Sequence, residues 1–426
     1  MLAASIIVFF VLLLIGVPVT HVVLGAAATG ILGSGAGPSI LVQQSVLGIN
    51  SYTTLAVPFF IIAGDLASKG KTSEKIVNVI NAFLGRIPGG LGIATIVACA
   101  FFGAITGSSM ATVVAIGSIM LPKLTEAGYP RLLSIGIVTC AGTLGVMIPP
   151  SIPMLLIAIA LRTSVGAQFT AGILPGLLTA AAMSAYVFFY AKKHKLPLAE
   201  KVPFKQKLRV VKESLFALLF PVIVLGSIYS GIATPTESAV ISVLYILVIE
   251  LFIYREIRPR QLHAMFGASA VSAATMTVMM ATAQAFVWYM TTAQVPQMLL
   301  DAVSNVISSP MTFILVMCAV FFVVGCFTNV ATVVVILGPI LLPLLQYYGI
   351  NAYQFCIVAV MMSQIGFITP PFGLCLFVSM KQSNATMLEV VRGAVPFILI
   401  MLAVTVVLII YPQISTCLPE FIFGTI

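Results

Sequence analysis

Runs of about 20 apolar residues recur along the whole length of this chain, and each run is long enough to cross a bilayer as a helix. Only 7% of the residues are charged, whereas a soluble domain has about a quarter. Within hydrocarbon, every backbone N–H and C=O must find a partner in the protein, and helices of this length satisfy that condition internally. The sequence therefore predicts an all-α polytopic membrane protein in contact with a lipid bilayer.

The net charge of +9 is concentrated in a few segments between the apolar runs. Eight of the 20 Lys and Arg residues lie within 192–212, and Arg255, Arg258 and Arg260 form a second cluster. Basic loops between spans stay in the cytoplasm, so we interpret this charge as setting orientation and expect no nucleic-acid partner. Counting spans outward from 192–212 puts 19 of the 20 basic residues in the cytoplasm and leaves only Arg162 outside.

Two double prolines interrupt apolar runs, in GVMIPP at 145–150 and in GFITPP at 366–371. Proline has no N–H to donate and clashes with the preceding turn, so a helix carrying two prolines breaks. Broken backbone at membrane depth survives only where it is buried in protein or lines a wet cavity. We therefore expect broken helices over 132–161 and 353–380, with their freed carbonyls facing a shared site.

An internal repeat links the two halves of the chain. FFGAITGSSMATVVAIGSIMLP at 101–122 matches FFVVGCFTNVATVVVILGPILLP at 321–343 at an offset of 220, and the double prolines follow at an offset of 221. We interpret the two matching segments as re-entrant hairpins, over 89–122 and 311–343. The span count makes the first hairpin open inward and the second outward. Inverted repeats with broken helices are typical of secondary transporters.

This repeat divides the chain into fixed and moving parts. We expect the moving parts to be the two repeats and the scaffold to be formed by the remaining spans. The predicted division is 1–53 for N-terminal scaffold spans, 54–165 for the first transport repeat, 166–263 for scaffold spans with the cytoplasmic basic loop 192–212, 264–392 for the second transport repeat, and 393–426 for the C-terminal span.

The centre of this arrangement is rich in neutral oxygen. No acidic residue falls in a hairpin tip or beside a double proline, and we expect no Lys or Arg at the centre. Hydroxyls and unwound carbonyls suit a hard cation of low charge, so we expect two or more Na⁺ sites, one per repeat. Bonding of each hydroxyl to its own helix is the alternative. The hydroxyl and amide residues concerned are Thr106, Ser108, Ser109, Thr112, Thr328, Asn329, Thr332, Ser363 and Thr369.

A carboxylate substrate would meet the positive ends of half-helices and the bound cations. The helices that restart after Pro150 and Pro371 supply such ends. We therefore expect Thr143, Ser151 and Gly373 to contact the substrate.

Five ordered motifs resemble those of one transporter family, the large membrane subunit of the tripartite ATP-independent periplasmic (TRAP) transporters. The resemblance covers essentially the whole chain and implies an inverted-repeat, elevator-type carrier with two re-entrant hairpins and two broken helices. The motifs are PGGLG at 88–92, TGSS at 106–109, GTLGVMIPPSIP at 142–153, ATPTESA at 233–239 and ITPPFG at 368–373.

The resemblance implies uptake of a carboxylate-bearing substrate, such as a C4-dicarboxylate or sialic acid, driven by Na⁺ as the coupling ion and without another cofactor. It also implies a bacterial inner membrane, a periplasmic substrate-binding protein and a separate small four-helix membrane subunit. Many members carry an acidic residue near each tip, where this chain has Thr112 and Asn329. Sodium ligands carried over from the family are Ser108, Ser109 and the backbone near Gly145, Ile148 and Pro150, then Gly325, Thr328, Asn329, Gly366 and Thr369.

Other functions remain as alternatives. A stand-alone carrier of the same superfamily, coupled to Na⁺ or H⁺, would need no partners. A channel would give flux without saturation. An intramembrane enzyme is disfavoured because the chain has no HExxH, no paired intramembrane aspartates and no plausible Ser–His pair. ATP-driven transport is disfavoured because the chain has no Gly-rich Lys-Ser/Thr phosphate loop.

Overall fold

The computed structural model describes residues 1–198, 202–328 and 330–424, without the side chains of Val330 and Thr332. These residues form 21 α-helices and no β-strand. Five single helices and two bent helix pairs within the described part are long and apolar enough to cross a membrane. The prediction of an all-α polytopic membrane protein is therefore confirmed.

The first half begins with three helices of 12 to 15 residues, so the path of 1–53 consists of short elements. A short 3-10 turn, Thr53–Leu55, then leads into the first repeat. The helices are α1 (Leu2–Leu14), α2 (Val19–Gly33), α3 (Pro38–Ile49), α4 (Ala56–Lys69), α5 (Thr72–Leu84), α6 (Gly90–Thr106), α7 (Ser109–Glu126), α8 (Arg131–Ala141), α9 (Leu144–Met147) and α10 (Ile152–Ala160).

The second half contains the longest helices. Several of them begin at a proline, whose missing N–H costs nothing at the first helical position. A π-helical turn, Ile249–Ile253, extends α13. The helices are α11 (Val165–His194), α12 (Phe204–Tyr229), α13 (Pro235–Val248), α14 (Pro259–Thr292), α15 (Val295–Val306), α16 (Pro310–Phe327), α17 (Val330–Tyr347), α18 (Ala352–Phe367), α19 (Leu374–Ser383), α20 (Met387–Ile410) and α21 (Gln413–Phe423).

The internal repeat is visible in the helix bounds. The pair α6–α7 corresponds to α16–α17, and each pair changes helix where the sequence predicts a tip. Both double prolines lie between two helices, with breaks after α9 and after α18. The peptide bond between the two prolines is cis in both motifs. The predicted positions of the two helix breaks are therefore confirmed.

The two repeats contact each other reciprocally. The half-helix α10 packs against α17, and its counterpart α19 packs against α7. Likewise, α10 contacts α18 and α19 contacts α8. Such exchange, in which each partner offers the same surface to the other, is what a two-fold relation produces. The second half of each broken helix therefore packs against helices of the opposite repeat.

The remaining helices surround this central group unevenly. Helix α4 packs on α13 and α14, α5 lies between α12 and α6, and α14 packs on α2 and α3. Helices α11 and α20, which the sequence division places outside the repeats, pack against α6 and α8. Helices α4 and α14 thus contact the predicted scaffold helices α13, α2 and α3, whereas α11 and α20 contact the hairpins and broken helices. The division into moving and fixed parts stays a prediction.

Ion pairs join segments that the charge pattern places together. Lys71 pairs with Glu256 at 3.0 Å, and Lys75 pairs with Glu213 at 3.5 Å. These contacts confirm that the α4–α5 corner, the start of α12 and the end of α13 share one side of the helix bundle. That this side is cytoplasmic stays a prediction.

Candidate substrate and ion site

A cavity of about 520 Å³ lies where both repeats meet α4 and α14. The α6–α7 tip and the start of α10 form part of its wall, and α18 and the start of α17 complete it. It therefore brings together the first tip and the first break, as the sequence predicts, and adds helices of the second repeat to them. Its polar lining residues are Asp65, Ser68, Lys69, Thr106, Ser108, Ser109, Ser272 and Gln364.

The first hairpin tip lies directly against the first break. Gly107 has a left-handed φ of 58°, and a Cβ there would lie 3.0 Å from the Pro150 carbonyl oxygen and 3.1 Å from the Ile152 nitrogen. A Cβ on Gly103 would lie 2.1 Å from the Gly145 Cα. Because the backbones touch at both points, glycine is required for the tip to approach the break.

Oxygen atoms converge in this tip. The Thr112 hydroxyl donates to the Ser108 carbonyl at 2.8 Å and lies 3.1 Å from the Thr106 hydroxyl oxygen, which is also 3.4 Å from that carbonyl. A Cβ on Gly145 would lie 2.5 Å from the Thr112 hydroxyl and 3.2 Å from the Ser108 carbonyl, so the break reaches the same cluster. The Thr112 bond, to the carbonyl four residues back, is the back-bonding alternative. The neutral oxygens of the cluster are also the donor type that a hard cation prefers.

The break also supplies carbonyls without partners. Pro149 and Pro150 have no N–H for the carbonyls of Gly145 and Val146, and no other hydrogen bond reaches these two oxygens within the described residues. Val146 lines the cavity. The donor set of the first repeat therefore fits an ion bound by hydroxyls and free backbone oxygens. Sodium ligation by these groups stays a prediction.

A hydrogen bond joins this tip to the second repeat. The Ser109 hydroxyl donates to Gln364 Oε1 at 2.5 Å, across 255 residues of sequence. Both side chains are buried, with exposed fractions of 3% and 2%. Ser109 therefore does not bond to its own helix, and a residue of α18 that the sequence did not indicate enters the site.

The N-terminus of α10 offers one free donor to the cavity. The Ser151 hydroxyl caps Met154 N at 3.4 Å, and Pro153 has no N–H. The N–H of Ile152, which lines the cavity, has no partner within the described residues. The prediction that a helix restarts at Ser151 is confirmed, and a contact between this end and a substrate stays a prediction.

Other predicted residues of the first repeat lie elsewhere. Thr143 is fully buried, and its hydroxyl donates to the Cys140 carbonyl at 2.6 Å and approaches Met401 Sδ at 3.8 Å. Ile148 faces Gly176 of α11. Neither residue lines the cavity, so in this arrangement any substrate contact of Thr143 would require a rearrangement.

The second repeat reproduces the tip–break contact. A Cβ on Gly366 would lie 2.8 Å from the Gly325 carbonyl carbon. The Thr369 hydroxyl donates to the Ile365 carbonyl at 2.6 Å, which is the back-bonding alternative. Thr328 and Gly373 lie outside the cavity lining. Asn329 and the side chain of Thr332, both predicted sodium ligands, lie outside the described residues.

Charged residues at the cavity correct one expectation. Asp65 and Lys69 of α4 line it, although the sequence predicted a centre without basic residues and without acids near the tips. The Ser269 hydroxyl donates to Asp65 Oδ2 at 2.7 Å. The prediction failed because α4 lies about 40 residues before the tip and only packing brings it there; a Cβ on Gly64 would lie 2.9 Å from the Thr106 Cα. A carboxylate inside the apolar run of α4 was the available signal.

Comparison with known proteins agrees with this architecture. Residues 6–414 match the family model described as "Tripartite ATP-independent periplasmic transporter, DctM component". An ectoine/5-hydroxyectoine TRAP transporter large permease protein of Ruegeria pomeroyi is 34% identical over 100% of both chains. A C4-dicarboxylate TRAP transporter large permease protein of Pseudomonas aeruginosa is 37% identical over 87% of both chains. A solved transporter of Alcanivorax borkumensis shares the fold at 15% identity, with a TM-score of 0.63 over 87% of both chains. The chain therefore belongs to the DctM-component family of the tripartite ATP-independent periplasmic transporters.

Proposed function

We propose that this chain is the large permease subunit of a TRAP transporter and drives uptake of a carboxylate-bearing substrate with a Na⁺ gradient. The observation that carries the proposal is the cavity at which the first hairpin tip, the first break and α18 converge beside a cluster of neutral oxygens. Family membership supports transport as the function, and the relatives support ectoine and C4-dicarboxylates as candidate substrates.

Sodium would be bound first at the Thr106–Thr112 tip, with free carbonyls of the break completing its ligands. The second tip would hold a further ion in the equivalent position. The positive charge of these ions, together with the free Ile152 N–H, would attract the carboxylate of the substrate. Lys69 at the exposed rim would add a second attraction, while Asp65 would oppose a second negative charge.

The transport step would be an elevator movement. The two hairpins and two broken helices would move as one unit, because their halves interlock reciprocally. The scaffold would be α12 and α13, as the sequence division predicts, together with α4, which packs on α13 although that division places it in the first transport repeat. A pseudo-two-fold axis in the membrane plane would make the inward and outward states alike in energy, as in other inverted-repeat carriers.

Two partners complete the proposal. A periplasmic substrate-binding protein would deliver the substrate, and a small four-helix membrane subunit would enlarge the scaffold in the bacterial inner membrane. Both partners follow from the family to which the chain belongs.

The test is uptake into proteoliposomes that contain this chain, its small subunit and its periplasmic protein. Radiolabelled succinate, sialic acid and ectoine are supplied with and without an inward Na⁺ gradient. We expect saturable uptake of at least one compound that disappears without Na⁺ or without the periplasmic protein. Uptake by the chain alone would instead support a stand-alone carrier, and non-saturating flux would support a channel.

A further inference from the structure

We propose that the side-chain amide of Gln364 is a substrate-binding group whose orientation is set by sodium at the first hairpin tip. The inference rests on the proposed function, since it needs a cation at Thr106–Thr112 and a carboxylate in the cavity. It adds a residue of the second repeat to the site and a physical link between the two ligands.

The geometry places Gln364 at the boundary between ion cluster and cavity. Its Oε1 accepts the Ser109 hydroxyl at 2.5 Å, and Ser109 directly follows Ser108, whose carbonyl belongs to the oxygen cluster. Its amide nitrogen has no hydrogen-bond partner within the described residues. The side chain is 98% buried and lines the cavity, so this unpartnered N–H₂ group is available to a bound molecule.

This amide nitrogen can donate two hydrogen bonds, and a carboxylate in the cavity supplies an acceptor for them. A hydrogen bond to a charged group is stronger than one to a neutral group. Gln364 is uncharged, so it can bind the carboxylate without adding a charge to the membrane interior. A buried Arg or Lys could also bind the carboxylate, but its charge would cost more free energy to desolvate.

The sodium dependence follows from the chemistry of the Ser109 hydroxyl. A serine hydroxyl has one hydrogen and two lone pairs, so it can donate to an amide oxygen or accept from an amide nitrogen. When a lone pair of Ser109 binds Na⁺, the ion repels the amide hydrogens, and the hydroxyl must donate to Gln364 Oε1. The structure shows this donation, so the amide already holds the orientation that an ion at Ser109 would favour. It turns the N–H₂ group toward the cavity, where it can bind a carboxylate.

Without sodium, the Ser109 oxygen is free to accept from the amide nitrogen. The Gln364 amide can then flip and present its oxygen to the cavity, where it repels a carboxylate. Sodium binding therefore favours the amide orientation that binds substrate, and it should raise the affinity for substrate. Linkage makes the effect reciprocal, so bound substrate holds the sodium more tightly.

The test compares Gln364→Met with Gln354→Met in the full complex. Both glutamines lie on α18 and are buried, but the Gln354 amide nitrogen donates to the carbonyls of Leu408 and Ile409, away from the cavity. The substrate probe is the member of the succinate, sialic acid and ectoine panel that the wild-type complex transports fastest. The KM for this probe is measured over a range of Na⁺ concentrations.

For Gln364→Met we expect a KM at saturating sodium that is about tenfold higher or more, equivalent to one lost hydrogen bond to a charged group. We also expect the KM to depend less on sodium than in the wild type, because only the direct attraction between the ions and the substrate remains, while Gln354→Met keeps the wild-type dependence. Thermal stabilisation of Gln364→Met by NaCl relative to choline chloride, without substrate, should persist because the ion ligands remain. A wild-type KM with wild-type sodium dependence in Gln364→Met overturns the inference.

A second variant covers the case in which Gln364→Met does not fold. Gln364→Glu keeps the length and the acceptor for Ser109, but when ionised it has no N–H and carries a charge of the same sign as the substrate, so a larger rise in KM than in Gln364→Met is expected. Wild-type-like uptake by Gln364→Glu overturns the inference. Absence of sodium-dependent uptake in the wild-type complex counts against the proposed function and removes the basis of the inference, which separates the two failures.

Discussion

Glu250, in the π-helical turn after α13, closes the α4–α5 corner of the scaffold. Its carboxylate is fully buried and accepts hydrogen bonds from Lys71 N at 3.0 Å, Thr72 N at 3.0 Å and Thr72 Oγ1 at 2.5 Å. A Cβ on Gly70 would lie 2.1 Å from the carboxyl carbon of Glu250, so the corner has no room for a side chain at position 70. Glu250→Gln tests whether this carboxylate holds the corner together.

The expected loss can be estimated from these contacts. Glutamine keeps one oxygen, which can still serve Thr72, but its N–H₂ then faces the Lys71 N–H as donor against donor. Loss of a charge-assisted bond costs about 1.5–3 kcal/mol, and the unpaired donor adds about 1–3 kcal/mol. Removing a buried charge offsets part of this cost. We therefore expect the free energy of unfolding to fall by about 3 kcal/mol.

The measurement is the melting temperature of the purified protein in detergent, with Glu237→Gln as a matched control. Glu237 belongs to an exposed capping box with Thr234, and glutamine serves equally well at that position. We expect Glu250→Gln to lower the melting temperature by about 3 °C, because the entropy of unfolding of a chain of 426 residues is about 0.9 kcal/mol/K, and Glu237→Gln to leave it unchanged. If both variants melt at the wild-type temperature, the corner does not depend on the buried carboxylate.

Three further predictions concern the site. Gly103→Ala pushes the backbones apart at the tip–break contact, so it should abolish uptake and lower the free energy of unfolding by about 1–3 kcal/mol. Gly226→Ala, where a Cβ meets open space, should leave uptake unchanged and keep or raise the stability. Equal uptake by both variants would contradict the packing argument. Thr112→Val should raise the half-saturating sodium concentration about tenfold in uptake assays. Thr179→Val loses the same kind of bond to the carbonyl four residues back, but away from the site, so it should leave that concentration unchanged. Asp65→Asn should lower the KM for succinate severalfold, because it removes a like charge from the cavity, and an unchanged KM would place the substrate away from Asp65.

The sequence was informative wherever a local rule decides the structure. Proline chemistry placed both breaks, and glycine and threonine placed the tip of α6–α7 within a residue. The repeat offset of 220 predicted matching helices in the two halves. Each of these features depends on residues that are close in the chain, so one sequence suffices to find them.

Some predicted site residues reach the cavity because of a local turn, whereas the position of others depends on how the helices pack. Thr106, Ser108 and Ser109 lie at the cavity, because the tip that carries them is a local turn. Thr143 belongs to the break motif at 142–153, yet its hydroxyl bonds to the end of α8 and faces α20. Which face of a buried helix looks into the cavity depends on its neighbours, and an all-apolar helix has no amphipathic pattern to reveal it.

The sequence by itself determined a helical membrane protein with two broken, repeated segments, because hydrocarbon forbids unpaired backbone and proline removes the N–H that a helix needs. Only the tertiary structure decided which polar groups meet. It brought Gln364 to Ser109 across 255 residues and Asp65 to the first tip, and it aligned the second half of each broken helix with the opposite repeat. Such contacts depend on how distant helices pack together, and no local pattern of residues records that packing.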